Sequence, residues 1–177
     1  MDQVIEPSEI IVDQPGVEED TSRINPYVRW LSRFFDYSLL ALLLSLIYYL
    51  IGIEKKEFLI PLRFLLWVPL EAFFLSQWGY TPGRLLLKTR VSKLGGGKLD
   101  FRLALRRSFA VWFRGIGMGL PVINVITMAI GFSSLKRQGI SSWDRDEKTV
   151  VFHHFVKPIR IGLALGLILL TFALDFF

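Results

Sequence analysis

Residues 25–53 read NPYVRWLSRFFDYSLLALLLSLIYYLIGI, and this stretch decides the class of fold. Asn25 is suited to cap free backbone donors and Pro26 to the first helical position. The apolar pattern then runs unbroken to Gly52. At 1.5 Å per residue the helix is about 40 Å long, more than the ~30 Å hydrocarbon core of a bilayer. Arg29, Trp30 and Arg33 fall in the first two turns, where guanidinium groups snorkel to headgroups and an indole anchors the interface. Asp36 is too short to do the same, and helix spacing makes Arg33, one turn earlier, its natural partner. Ionisable residues within an apolar span are costly, which marks Arg33 and Asp36 as a candidate site. A structural ion pair that fixes helix depth fits them as well as a functional role.

Working outward, Glu54-Lys55-Lys56-Glu57 is a short turn that predicts an antiparallel second span, opened by Pro61 and stopped by Gly79 after Trp78. Within it Glu71 follows Pro69, which frees the carbonyl of Leu65. A kink, an unpaired acceptor and a carboxyl group together are the makings of an ion or proton site. The alternative is that Glu71 lies near the interface and meets Arg84.

Residues 79–107 form a basic loop. Thr81 before Pro82 predicts a short helix to Thr89, with leucines 85 to 87 against the bilayer. Arg90–Leu94, three glycines and Lys98–Phe101 read as a small β-hairpin. The glycines lack the flanks of a nucleotide-binding loop. From Phe101 an amphipathic helix is expected, with Arg102, Arg106, Arg107 and Arg114 on the side facing anionic headgroups. No nucleic-acid-reading module accompanies this charge, so lipid rather than nucleic acid is the expected partner.

The third apolar run, Gly115 to Leu135, is interrupted by Gly117, Gly119 and Pro121. It either crosses as a kinked helix or enters and leaves on one side. The loops before and after it are both basic, and the positive-inside rule would place both in the cytoplasm, which favours a re-entrant hairpin. A last run, Ile161 to Phe177, ends the chain. The expected fold is therefore an all-α integral membrane bundle of three to four apolar segments, with a short cytoplasmic hairpin and an interfacial amphipathic helix.

Composition agrees. Of the 177 residues 52% are hydrophobic, more than a soluble domain of this size would hide in one core. No cysteine is present, which excludes disulfide scaffolds, thiolate metal sites and cysteine nucleophiles. Residues 1–24 hold seven of the 16 acidic residues but one of the 21 Lys and Arg. This tail has neither the basic start nor the apolar core of a secretory signal, so it is expected to stay attached as a solvated leader before a membrane domain at 25–177.

Together these residues resemble the RDD family of membrane proteins over roughly positions 26 to 170. The likeness rests on Arg33 and Asp36 at the start of the first span, Thr81-Pro82-Gly83-Arg84 after the second with Arg90-Val91 following, Arg106 before the third run, and a closing Arg137, Trp143-Asp144 and Thr149-Val150-Val151. Asp144 best matches the family's second aspartate. The chain departs from the pattern with Arg84 where lysine is usual and with Glu147-Lys148 where a small residue and glycine normally precede the threonine. The resemblance implies a bacterial cytoplasmic (inner) membrane location with the N-terminus inside. It also implies transport of undefined ligands, sodium–proton exchange in some members, or membership of a membrane assembly. Arg33, Asp36 and Asp144 are expected to gather as a charged cluster at the membrane boundary.

Enzyme chemistry finds no support, nor does any cofactor. His153 and His154 are adjacent and on a strand would point to opposite faces, too far apart in direction to share a metal, and a solvated interfacial pair is expected. Two readings follow. One is a small transporter or cation/proton exchanger, with Asp36 and Glu71 as ligands and Arg33 as an internal cation. The other is an accessory or scaffold protein, a homo-oligomer or a companion of other membrane proteins, whose charged cluster is structural.

Overall fold

The computed structural model describes residues 25–52 and 60–176; the acidic tail and the Glu54–Glu57 turn lie outside them. The fold is mostly helical: α1 (Pro26–Ile51), α2 (Ile60–Gln77), α3 (Pro82–Leu86), α4 (Phe101–Ala110), α5 (Pro121–Gln138), α6 (Ser142–Asp146) and α7 (Pro158–Phe176), with two short strands, β1 (Thr89–Lys93) and β2 (Thr149–His153). The first helix begins and ends as its residues dictate. The Asn25 side chain accepts from the N–H groups of Tyr27 and Val28, and Gly52 closes the helix at φ 73°. Among the described residues α1 is the one helix of 18 residues or more that is apolar enough to cross a membrane, with Pro158–Leu174 a shorter apolar stretch. Large apolar side chains of α1, α5 and α7 stay exposed, Tyr49, Leu50, Val122 and Leu169 among them. In water such faces would aggregate; against lipid they are at home.

The predicted hairpin is not formed. β1 pairs antiparallel with β2, with Val91 opposite Val151 and Thr89 opposite His153. Gly95, Gly96 and Gly97 all sit at positive φ and curl the chain away from β1. Leu99 is buried in the core, and Asp100 caps α4 by accepting from the Leu103 N–H. The short helix ends at Leu86 rather than Thr89, because Lys88 adopts a left-handed φ of 48° and turns the chain into the strand. Leu87, expected against the bilayer, is fully buried beside Val28 and Ala164.

The two strands belong to two copies of one unit, 60 positions apart. Gly79 and Gly139 have φ of 80° and 69°, and each donates to the carbonyl of the leucine four residues earlier at 3.0 Å. Thr81 and Ser141 precede α3 and α6, and Lys88 and Lys148 share a φ of 48°. Even the cross-connections match: His154 N–H donates to the Lys88 carbonyl at 3.1 Å, and Leu94 N–H to the Lys148 carbonyl at 2.8 Å.

Around this platform α2 packs chiefly on α4 and α1 on α7. One core joins Ala72 and Leu75 of α2 to Val91, Leu99 and Ala104. After α4 the chain passes through a π-helical turn, Val111–Gly115, and a tight turn at Gly117–Gly119 where Met118 is left-handed, and then folds back as α5.

Candidate functional site: a buried chain of alternating charge

Asp36, buried on α1, faces the start of α3. Its Oδ1 accepts from the Gly83 N–H at 2.6 Å, and its Oδ2 accepts from the Thr81 hydroxyl. The same hydroxyl accepts from the Arg84 N–H and so caps α3. Pro82 suits the first helical position, and Gly83 is required by crowding. A Cβ there would run into the Ser32 carbonyl and lie 2.9 Å from Asp36 Oδ1.

Glu71 does meet Arg84. Their side chains, both almost wholly buried, lie 2.7 Å apart. From the other side Arg107 Nη1 approaches Glu71 at 3.5 Å, while its Nε and Nη2 donate to Asp144 Oδ1 at 2.9 and 2.6 Å. Asp144 also binds Arg29 and accepts from the hydroxyls of Ser141 and Thr149. The charges thus alternate along Arg84, Glu71, Arg107, Asp144 and Arg29, with Asp36 beside Arg84. Burial alone would raise the Asp144 pKa; the guanidinium groups of Arg107 and Arg29 and the Ser141 hydroxyl reverse this and hold it well below the usual carboxylate range. Burial lowers the Arg84 pKa against the pull of Glu71. Asp36 and Asp144 have both oxygens engaged and Glu71 has Oε1 between two guanidinium groups, as buried charge demands.

Several expected placements are corrected. Arg33 does not pair with Asp36, whose oxygens are taken by α3; its guanidinium lies 5.9 Å from the centre of the Trp143 ring. The α1 arginine that reaches Asp144 is Arg29, one turn earlier. Arg107 does not face headgroups: it is completely buried, because five residues after Arg102 a helix has turned about 140° away from the Arg102 and Arg106 side. Arg102 is exposed, while Arg106 lies 3.4 Å from Glu147 and Arg114 2.6 Å from Asp146. The histidines are not a solvated pair. His153 is 7% exposed and His154 is exposed; burial, then repulsion from Arg29 and Arg84, brings the His153 pKa down to about 4.

Sequence reasoning treated Arg29 as a membrane anchor and passed over Ser141. Both were detectable, Ser141 as the counterpart of Thr81 at an offset of 60. No match was found among curated proteins or among solved structures. The model of the RDD family, which is membrane-associated, matches residues 25–145, from the cap of α1 to the residue after Asp144. With most of its length so matched, and with Asp36, Gly83, Arg107 and Asp144 gathered in one buried site, the chain belongs to the RDD family.

Proposed function

We propose that this is a multi-pass protein of the bacterial cytoplasmic membrane that acts as an accessory or organising component, and that its buried charges are a staple rather than a cation path. The pairing of every one of these carboxylates carries this reading. Asp36, Glu71 and Asp144 are each held by two or more donors or cations within the described residues. A proton or sodium carrier needs a carboxylate that faces a path and exchanges partners. Here a cavity beside α1 is lined by Arg29, Arg33 and Arg63 and, among the described residues, by no carboxylate.

In this topology α1 enters from the cytoplasm at Asn25, α2 returns, and the two basic loops lie inside. α4 and the π-helical turn add up to 15 residues, about 22 Å, which is short of a ~30 Å hydrocarbon core. That length supports a chain that turns back at Gly117–Gly119 without having crossed, so that the run Gly115 to Leu135 re-enters. Arg102 faces anionic headgroups, and the exposed helix faces suit lipid, a second copy or another membrane protein.

The test is reconstitution. Liposomes holding the protein are expected to show no proton movement driven by sodium, potassium or lithium. Glu71→Gln and Asp36→Asn are expected to lower the unfolding midpoint in detergent. A robust cation-driven proton flux that a well-folded Glu71→Gln variant loses would establish exchange and overturn the staple.

A further inference from the structure

A cavity of about 420 Å³ lies between α1, α2, α5 and α7, with Trp143 of α6 in its wall. That volume is within the range of small-ligand sites. Its walls are largely hydrocarbon and aromatic: Phe34, Leu40, Phe64, Met128, Ile168 and Phe172. Three arginines line it and, among the described residues, no acid does. Arg29 is committed to Asp144; Arg33 makes no carboxylate ion pair among the described residues, its guanidinium lying over the Trp143 ring within the field of Glu71, which Arg84 and Arg107 already hold. Trp143 is 8% exposed, and its indole N–H is buried with no acceptor. The Asn124 side-chain oxygen on α5 is likewise buried and unpartnered.

A half-buried guanidinium at the wall of an apolar chamber describes a ligand with an anionic head and an apolar body. We infer that the cavity binds a single-chain anionic amphiphile, with its carboxylate or phosphate head on Arg33 and its hydrocarbon chain between α1, α5 and α7. A planar donor fork with no carboxylate in contact matches either head. The volume suits one chain better than the two of a bilayer phospholipid. This inference is independent of the role of the charged staple.

Because Trp30 and Trp143 both line the cavity, a brominated chain within it would quench their emission. The full-length protein in zwitterionic nanodiscs would be titrated with a dibrominated C18 fatty acid, its methyl ester and a brominated lysophosphatidic acid. Saturable quenching by an anionic probe and none by the ester is expected. Arg33→Gln should weaken that binding by about tenfold or more, Arg33→Lys should restore part of it, and Arg102→Gln should leave it unchanged. Tighter binding of the fatty acid would assign the site to free carboxylates, and tighter binding of the lysophospholipid to a membrane-derived phosphate. Should Arg33→Gln fail to fold, a rise in the parent's unfolding midpoint with acid but not ester supplies the same test. Equal quenching by acid and ester, an Arg33→Gln variant that binds like the parent, or the absence of saturable quenching by either anionic probe would overturn the inference.

Discussion

Replacing Arg107 with methionine tests the central claim about the buried charges. Arg107 is wholly buried and joins two carboxylates: it donates twice to Asp144, at 2.9 and 2.6 Å, and lies 3.5 Å from Glu71. Hydrogen bonds to charged groups contribute about 1.5–3 kcal/mol each, and removing one partner of a buried pair typically costs about 3–5 kcal/mol. Asp144 keeps Arg29 and Ser141, and Glu71 keeps Arg84, so the expected loss is about 3 kcal/mol, at the lower end of that range. Arg106→Met is the internal control. Its side chain is 68% exposed and 3.4 Å from Glu147, and surface pairs of that kind contribute about 0–1 kcal/mol. Equilibrium unfolding in mixed micelles would measure both, and a cycle with Asp144→Leu should give a coupling of about 2 kcal/mol. If Arg107→Met costs no more than Arg106→Met, or the coupling is indistinguishable from zero, the alternating chain does not hold the fold together.

Gly83→Ala should destabilise by about 1–3 kcal/mol, the usual cost of overpacking, since the added methyl meets the Ser32 carbonyl and Asp36; an unchanged unfolding midpoint would show that α1 and α3 can separate freely. Asp36→Asn turns an amide donor or a neutral oxygen toward Thr81 and Gly83 and should cost about 1–3 kcal/mol, read as a lower midpoint; a midpoint at or above the parent's refutes the capping role. The His153 ring binds its proton near 6.5 when unfolded but only near 4 when folded, so the unfolded state holds more protons between these values. Stability should therefore be full above about pH 6.5 and fall as pH drops toward 4, by up to about 3 kcal/mol. Asp144 titrates below this window. His153→Gln should flatten that slope, and an unchanged slope would assign the acid sensitivity to another group.

What the sequence made legible was local. Asn25, Pro26 and Gly52 set both ends of α1 by cap chemistry alone, and Thr81-Pro82 set the start of α3. What it hid was set by distant partners. β1 looked like one arm of a hairpin because three glycines follow it, yet its hydrogen bonds go to a strand 60 positions later. Helix spacing pointed Asp36 at Arg33, but two donors on α3 offered the carboxylate fixed hydrogen bonds, leaving the guanidinium over Trp143. The meeting of Glu71 with Arg84 was foreseen as one of two options because both flank the same turn. Arg107 was placed on the Arg102 side of the helix, although at about 100° per residue it stands about 140° from it. The arrangement of Gly79, Thr81, Lys88 and Thr89 recurs at Gly139, Ser141, Lys148 and Thr149. Scanning the chain against itself would have exposed the strand pairing.

That recurrence also bears on symmetry. Antiparallel strands in register at Val91 and Val151 are related by a two-fold axis through that pair and perpendicular to the sheet. Such an axis keeps whatever stands above the sheet above it, so the last turns of α2 and α5 arrive from the same side. This is the geometry of a C2 dimer contained in one chain. In an identical pair the residues at positions 84 and 144 would carry like charge. Here they are Arg84 and Asp144, which serve opposite ends of one charge chain bridged by Glu71 and Arg107. Between residues 79–93 and 139–153 only Gly79, Lys88, Thr89 and Val91 meet identical counterparts, so the two units are unlike halves, joined through the opposite charges at 84 and 144.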